Sequence, residues 1–241
     1  PVADRGDVAA SNDRAVPNRR HMAFGLLAAG MVASAGGLLA WRHAASGASD
    51  NSAKVVQDQA RALHIEAVYL WQKRTPETLR QAADLLKRAL EIEPHFVAAL
   101  SDLAITYNLM VEYGVAGAEE GYELSRDAAR RAMALDPRNA RAHSVLGDIL
   151  FFRDRDYEGG LGLLGRAVDF DPRDATSRHW LASALMAKGR YSEAAAQIRT
   201  ARELEPLSRS IVVSQAMIAL GEKRPQDARQ LLRQLVQNEP A

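Results

Sequence analysis

From Lys54 to the C-terminus, apolar residues recur at i, i+3, i+4 and i+7, the spacing of an amphipathic helix, with small residues at fixed places in the pattern. Ahead of that region, Met22 to Trp41 runs 20 residues without a charge, between Arg19-Arg20-His21 and Arg42-His43. Residues 1–21 carry mixed charge and offer only three valines as large aliphatic residues, too little apolar surface to offset the entropy of ordering. The pattern predicts an all-α chain in four parts: a disordered linker over 1–21, a transmembrane helix over 22–41, a tether over 42–54 and an array of paired helices over 55–241.

The array has regular punctuation. Pro94, Pro137, Pro172, Pro206 and Pro240 each follow an acidic residue, and their separations are 43, 35, 34 and 34. Counting back from each Pro finds small or aliphatic residues at matched helix positions: Ala82, Leu86, Ala89; Ser125, Ala129, Ala132; Gly160, Leu164, Ala167; Ala194, Ile198, Ala201; and Ala228, Leu232, Leu235. The preceding helices match as well, through Leu103-Ala104-Tyr107, Leu146-Gly147-Leu150, Leu181-Ala182-Leu185 and Gln215-Ala216-Ala219. Small residues let two helices approach closely, and Pro ends the second helix of each unit because it lacks an amide donor and clashes with the preceding turn.

A fixed period of this kind marks a solenoid. The stretch Ala175 to Ser208, with small residues at its eighth, twentieth and twenty-seventh positions and Pro at its thirty-second, resembles the tetratricopeptide (TPR) repeat consensus closely. The expected fold is therefore an α-solenoid of about five TPR helix hairpins preceded by one transmembrane helix.

Four departures from the regular unit carry expectations. In the first unit Leu70 replaces the small residue, and Lys73-Arg74-Thr75-Pro76 predicts a lengthened turn with Thr75 as N-cap and Pro76 at the first helical position. The second unit has nine extra residues between Tyr107 and Ser125, interrupted by Gly114, Gly117 and Gly121, which predicts a projecting loop. In the third unit Gly159, Gly160, Gly162 and Gly165 share one helix, at a cost of roughly 3–4 kcal/mol in propensity relative to Ala, so that helix is expected to be the softest. The last unit has Gln215 where others have Leu, and its outer face is expected to be polar or to meet something beyond the chain.

Charge and composition narrow the function. Lys and Arg number 31 against 30 acidic residues, so no global field attracts nucleic acid, and the absence of Cys excludes disulfides and thiolate chemistry. The uncharged stretch 22–41 reaches about 30 Å as a helix, the thickness of a bilayer core. A cleaved signal peptide is the competing reading, with Ala45 to Ala48 as the cleavage region. The slight excess of basic residues on the N-terminal side orients a retained single-pass span with its N-terminus inside. Gly25, Ala29, Ala33 and Gly37 fall every four residues along the span, where a homodimer could form.

No catalytic constellation emerges, and the chain itself is not expected to be an enzyme. Residues 160–165, Gly-Leu-Gly-Leu-Leu-Gly, satisfy a dinucleotide-binding spacing, but no strand precedes them and they fall on repeat positions. The six His stand singly without i, i+4 partners, so neither metal nor cofactor is expected. His143 and His179 are expected to line the groove or to be partly buried.

The TPR resemblance implies that first helices line a concave surface that binds a protein or peptide, or a small effector. Carried onto this chain, the groove positions are Ser101, Ile105 and Asn108; Arg141, Ser144, Asp148 and Phe151; Thr176, His179, Ser183 and Met186; and Ser210, Val213 and Met217. They lack the Lys and Arg cluster that clamps a peptide carboxylate in chaperone-binding TPR domains.

The order of linker, span and array, with Lys-Arg-Thr-Pro-Glu-Thr-Leu-Arg-Gln-Ala, Phe-Arg-Asp-Arg-Asp-Tyr and Glu-Leu-Glu-Pro-Leu-Ser, resembles the C-terminal half of CadC-type membrane-spanning winged-helix regulators. That resemblance implies a sensing half, with nucleic acid bound only through an N-terminal domain preceding Pro1. Two alternatives stay open: a stand-alone anchored or secreted TPR scaffold or assembly factor, and the regulatory half of a nucleotide cyclase or Ser/Thr kinase.

Overall fold

The computed structural model describes residues 54–237. The expected linker, span and tether over 1–53 lie outside the described residues, as does Pro240. Within them the chain is helical throughout, with no strand: α1 (residues 54–72), α2 (Pro76–Ile92), α3 (Val97–Glu112), α4 (Ala118–Leu135), α5 (Ala140–Asp148), α6 (Tyr157–Phe170), α7 (Ala175–Ala187), α8 (Tyr191–Leu204), α9 (Arg209–Gly221) and α10 (Pro225–Gln237). A π-helical turn, Ile149–Arg153, extends α5. Among the described residues no helix is long and apolar enough to cross a membrane.

Short turns fold α3 onto α4, α5 onto α6, α7 onto α8 and α9 onto α10, and α1 contributes Ala67 and Trp71 to the core beside α2. Each second helix also meets the next first helix, and α3, α5, α7 and α9 touch in sequence along one side. The result is a stack of five hairpins whose odd-numbered helices form one layer. The matched small positions are the reason. Ala82, Ala89, Ala129, Ala132, Ala167, Ala194 and Ala201 are all fully buried, and Ser125 takes its place among them by donating its hydroxyl to the Ala104 carbonyl at 2.8 Å.

The acidic-Pro punctuation closes each unit by one repeated device. The amides of Glu93, Asp136, Asp171 and Glu205 donate to the carbonyls of Ala89, Ala132, Ala167 and Ala201, completing the last helical turn. The carbonyl of the same acidic residue then accepts from the amide three positions on, at Phe96, Asn139, Asp174 and Ser208. Pro sits at the second position of that turn, where its fixed φ fits. Asp136 and Asp171 add side-chain bonds to the amides of Arg138 and Arg173, which explains why a short acid precedes Pro there. The turns within hairpins share another feature: one residue of each is left-handed, namely Arg74, Gly114, Arg155, Gly189 and Lys223.

The irregular units meet the expectations unevenly. Thr75 caps α2 in a reciprocal arrangement with Thr78, and Pro76 opens the helix, as expected. The nine extra residues of the second unit do not form a projecting loop. Measured against α7, α8 and the turn between them, α3 is longer by three residues, α4 by four and their connection by two. Continuing both helices keeps their amides paired, which a nine-residue loop would leave to solvent. In the fifth hairpin Ala228 is buried, whereas Leu232 and Val236 stand 41% and 69% exposed among Arg229, Arg233 and Gln237, so the outer face of α10 carries apolar as well as polar side chains.

The four glycines of α6 play unequal parts. A β-carbon on Gly160 would lie 2.7 Å from Phe151 Cβ and 2.8 Å from the Gly147 carbonyl, so this residue sets the approach of α5 to α6. Gly162 and Gly165 face open space. Gly162→Ala and Gly165→Ala should each raise stability by about 0.5–1 kcal/mol, whereas Gly160→Ala should lower it by roughly 1–3 kcal/mol. Urea denaturation followed by circular dichroism checks this; a stabilising Gly160→Ala would mean the helices can separate freely.

Candidate functional site

The odd-numbered helices present a cavity of about 970 Å³. Its walls are Asn108 and Glu112 of α3, Tyr122 of α4, Asp148 of α5, Phe152 of the π turn, His179, Trp180 and Ser183 of α7, and Arg209, Ser210, Val213 and Ser214 of α9. The turn of the first hairpin, Lys73 to Thr75, lines the same space together with Gln72 and Leu207; the expected lengthening is not there, since its three residues equal the three between α7 and α8. A second cavity of about 350 Å³, between Trp71, Gln72 and Arg74 on one side and Glu205 to Ser208 on the other, also takes in Thr176.

Of the positions expected in the groove, Asn108, Asp148, His179, Ser183, Ser210 and Val213 come together in the large cavity. Ser101, Ile105 and Ser144 are instead buried, the hydroxyl of Ser101 donating to the Val97 carbonyl and that of Ser144 to Ser177 Oγ. Met186 is half-buried and Met217 exposed, and neither borders the cavity. Phe151 requires a correction. It is 2% exposed and packs against Gly160 and Tyr157, while Phe152, 46% exposed, lines the cavity. The π turn is the cause: with the Asp154 amide bonded to the Ile149 carbonyl five residues back, one extra residue enters the helix and the groove position moves from 151 to 152.

Arg141 also has a different role from the one expected. Its Nη1 donates to Asp102 Oδ1 at 2.7 Å and Oδ2 at 3.0 Å, and its Nε lies 3.5 Å from Asp174 Oδ1. Asp102 is fully buried and also bonds His64 Nε2 at 2.6 Å. Asp174 caps α7 by accepting the Ser177 amide at 2.8 Å. This chain of polar contacts ties α1, α3, α5 and α7 together, so Arg141 holds the stack in register rather than presenting itself to a ligand.

The polar groups of the cavity are arranged differently. Asp148 accepts one hydrogen bond, from Asn108 Nδ2 at 2.9 Å, and no cation pairs with it among the described residues. Burial, the dominant cause, and the nearby Glu112 charge push its carboxyl up to about 7 against the bond from Asn108. His179 shares a hydrogen bond with Ser214 Oγ at 2.8 Å, and burial, reinforced by Arg74, pushes the imidazole down to about 3, so it is neutral. Asn108 Oδ1 and His179 Nδ1 are buried without a partner. Among the described residues no group of three metal-ligating side chains forms.

Helix hairpins of near-constant length, stacked so that their first helices line a groove with unsatisfied polar atoms, define a helical-repeat solenoid built to hold something. The chain belongs to the tetratricopeptide repeat family, whose model matches residues 115–175 and 181–241, just over half of it. No curated protein matches the sequence. Among solved structures, the chain is similar in fold to TTC0263, a TPR protein of Thermus thermophilus, at TM-score 0.58 and 21% identity over 75% of this chain and 92% of that one. It is similar also to PilF of Pseudomonas aeruginosa, at TM-score 0.51 and 23% identity over 77% and 79% of the two chains. A third is PilW, described as a type IV pilus biogenesis factor, at TM-score 0.51 and 15% identity over 73% and 76%.

The two titrating groups of the cavity act on stability with opposite sign. Asp148 binds its proton more tightly folded than unfolded, so it lowers stability progressively as pH rises from about 4 to 7. His179 binds its proton less tightly folded, so it lowers stability as pH falls from about 6.5 to 3. Asp148→Asn should therefore raise stability above pH 7, by about 1–2 kcal/mol once solvent in the cavity is allowed for, and leave it nearly unchanged at pH 4. Chemical denaturation at pH 4, 6 and 8 measures the difference; a loss of stability at pH 8 would contradict the assignment.

Proposed function

We propose that the chain is a protein-interaction scaffold whose groove holds an extended segment of a partner. The observation that carries this is the pair of buried, unpartnered polar atoms, Asn108 Oδ1 and His179 Nδ1, on residues lining a cavity of about 970 Å³. Buried polar atoms left without partners are costly, and a bound main chain or side chain offers both donors and acceptors.

In the fuller form of this reading, residues 22–41 anchor the array in a bacterial inner membrane, the groove faces the periplasm, and the TPR half senses a protein or small effector for a CadC-type winged-helix output domain. The membrane and regulatory parts rest on the sequence resemblance. A second reading, an anchored or secreted assembly factor, is favoured by the fold shared with PilF and with the pilus biogenesis factor PilW. The reading frame upstream of Pro1 separates the two: roughly 100–150 residues of winged-helix pattern belong to the regulator alone.

The groove itself is tested by cross-linked co-purification from membranes with Asp148→Arg beside the wild type. The variant places a long cation in the cavity and should lose at least one partner that the wild type retains, read by quantitative mass spectrometry. Equal recovery of every partner would remove the concave surface from the account.

A further inference from the structure

Asp148 ends α5 where the helix passes into the π turn, and only one of its carboxylate oxygens is engaged, by Asn108 Nδ2. Asn108 is 4% exposed, and its own oxygen, Oδ1, is buried without a partner. The aromatic rings that line the same cavity include Tyr122 and Phe152, and a second carboxylate, Glu112, lines it as well. Burial and then the Asp148 charge push the Tyr122 phenol above its ordinary value, so the ring lies within electrostatic reach of Asp148.

These groups share one complement. An acceptor-only carboxylate oxygen, an acceptor-only amide oxygen and the faces of aromatic rings all attract a compact donor that carries positive charge. Two neighbouring oxygens without a third ligating carboxylate or imidazole are too few for a metal cage, whereas an ammonium or guanidinium with several N–H donors can bond both. Resting on the reading of the groove as a peptide-holding surface, we infer that Asp148 and Asn108 form a subsite for a Lys or Arg side chain of the bound segment, flanked by Tyr122 and Phe152. The subsite makes the groove opposite in sign to a carboxylate clamp at this point. The basic residues of the cavity, Lys73, Arg74 and Arg209, come from the first-hairpin turn and from α9, not from the helices that carry Asp148 and Asn108.

Protonation should switch the subsite. The titratable or charged groups that share the cavity with Asp148 are Glu112 from α3, Tyr122 from α4, the neutral His179 from α7, Lys73 and Arg74 from the first-hairpin turn and Arg209 from α9, with Arg153 lying 5.9 Å over the Tyr122 ring and engaged by Glu119. With the Asp148 carboxyl pushed up to about 7, the preference for a cation should be present at pH 8 and fade at pH 6.

The test uses the full chain in mild detergent and fluorescein-labelled twelve-residue peptide mixtures, degenerate in Ala, Ser, Leu, Val and Tyr. Each mixture has one fixed central residue: Lys, Arg, norleucine or Glu. Fluorescence anisotropy at pH 8 should show the Lys and Arg mixtures binding about tenfold or more tightly than norleucine, the size of one charge-assisted bond, with Glu weakest. The preference should shrink to within about twofold in Asp148→Asn, and likewise in the unaltered protein at pH 6. Equal binding of Lys and norleucine mixtures to the wild type, or a preference kept by Asp148→Asn, overturns the cation subsite while the peptide groove stands. If no mixture binds at millimolar concentration, the peptide-groove reading fails and the subsite fails with it. The pH comparison needs no substitution, so misfolding of the variant cannot protect the proposal.

Discussion

The whole stack depends on how closely the two helices of a hairpin can come together. Where Ala, Gly or a satisfied Ser occupies the contact, backbones meet with almost no side chain between them, and the flanking aliphatic residues interlock. Gly147 and Gly160 are the extreme case: a β-carbon on either would fall within about 3 Å of the facing helix. This spacing fixes the tilt of each hairpin, and hence the layer in which α3, α5, α7 and α9 lie side by side.

A layer of first helices would be a plain apolar surface were it not for two sets of polar groups with different fates. The set running from His64 through Asp102 and Arg141 to Asp174 is fully paired and spans four successive hairpins. Such a buried chain contributes register more than net stability, because desolvation offsets most of the attraction between its charges. The set around Asn108, Asp148 and His179 is left incomplete. Incomplete polar groups in a cavity are tolerated where function needs them, and the stability they cost is carried by the packed hairpins on either side.

Much of this architecture is readable from residues alone. Small residues at matched distances from each acidic-Pro pair locate every second helix, and the Thr75-Pro76 pair marks the start of α2 to the residue. The groove is read less well, since helical periodicity alone cannot anticipate a change of register. The separation of 35 between Pro137 and Pro172, one more than the two that follow it, carries the signal: the additional residue is absorbed in the Ile149–Arg153 π turn, which exchanges Phe151 for Phe152. Extra length elsewhere acts differently. In the second unit it continues α3 and α4 and brings Glu112, Tyr113 and Tyr122 to the cavity, and the first-hairpin turn brings Arg74. Contacts between hairpins distant in sequence, such as Arg74 with the α7–α9 side of the groove, have no local pattern to reveal them. Irregularity in the repeat therefore adds Phe152, Glu112, Tyr113, Tyr122 and Arg74 to the polar groups Asn108, Asp148 and His179 that the regular positions supply.

The groove floor holds a carboxylate, that of Asp148, with which no cation among the described residues pairs. Carbon-13 NMR of the Asp148 side-chain carboxyl, titrated in the protein without added peptide, measures this directly. The midpoint should fall at about 7, displaced by burial from the ordinary aspartate range. A midpoint at the ordinary aspartate value, near 4, would mean that Asp148 is solvated or already paired, and would contradict it.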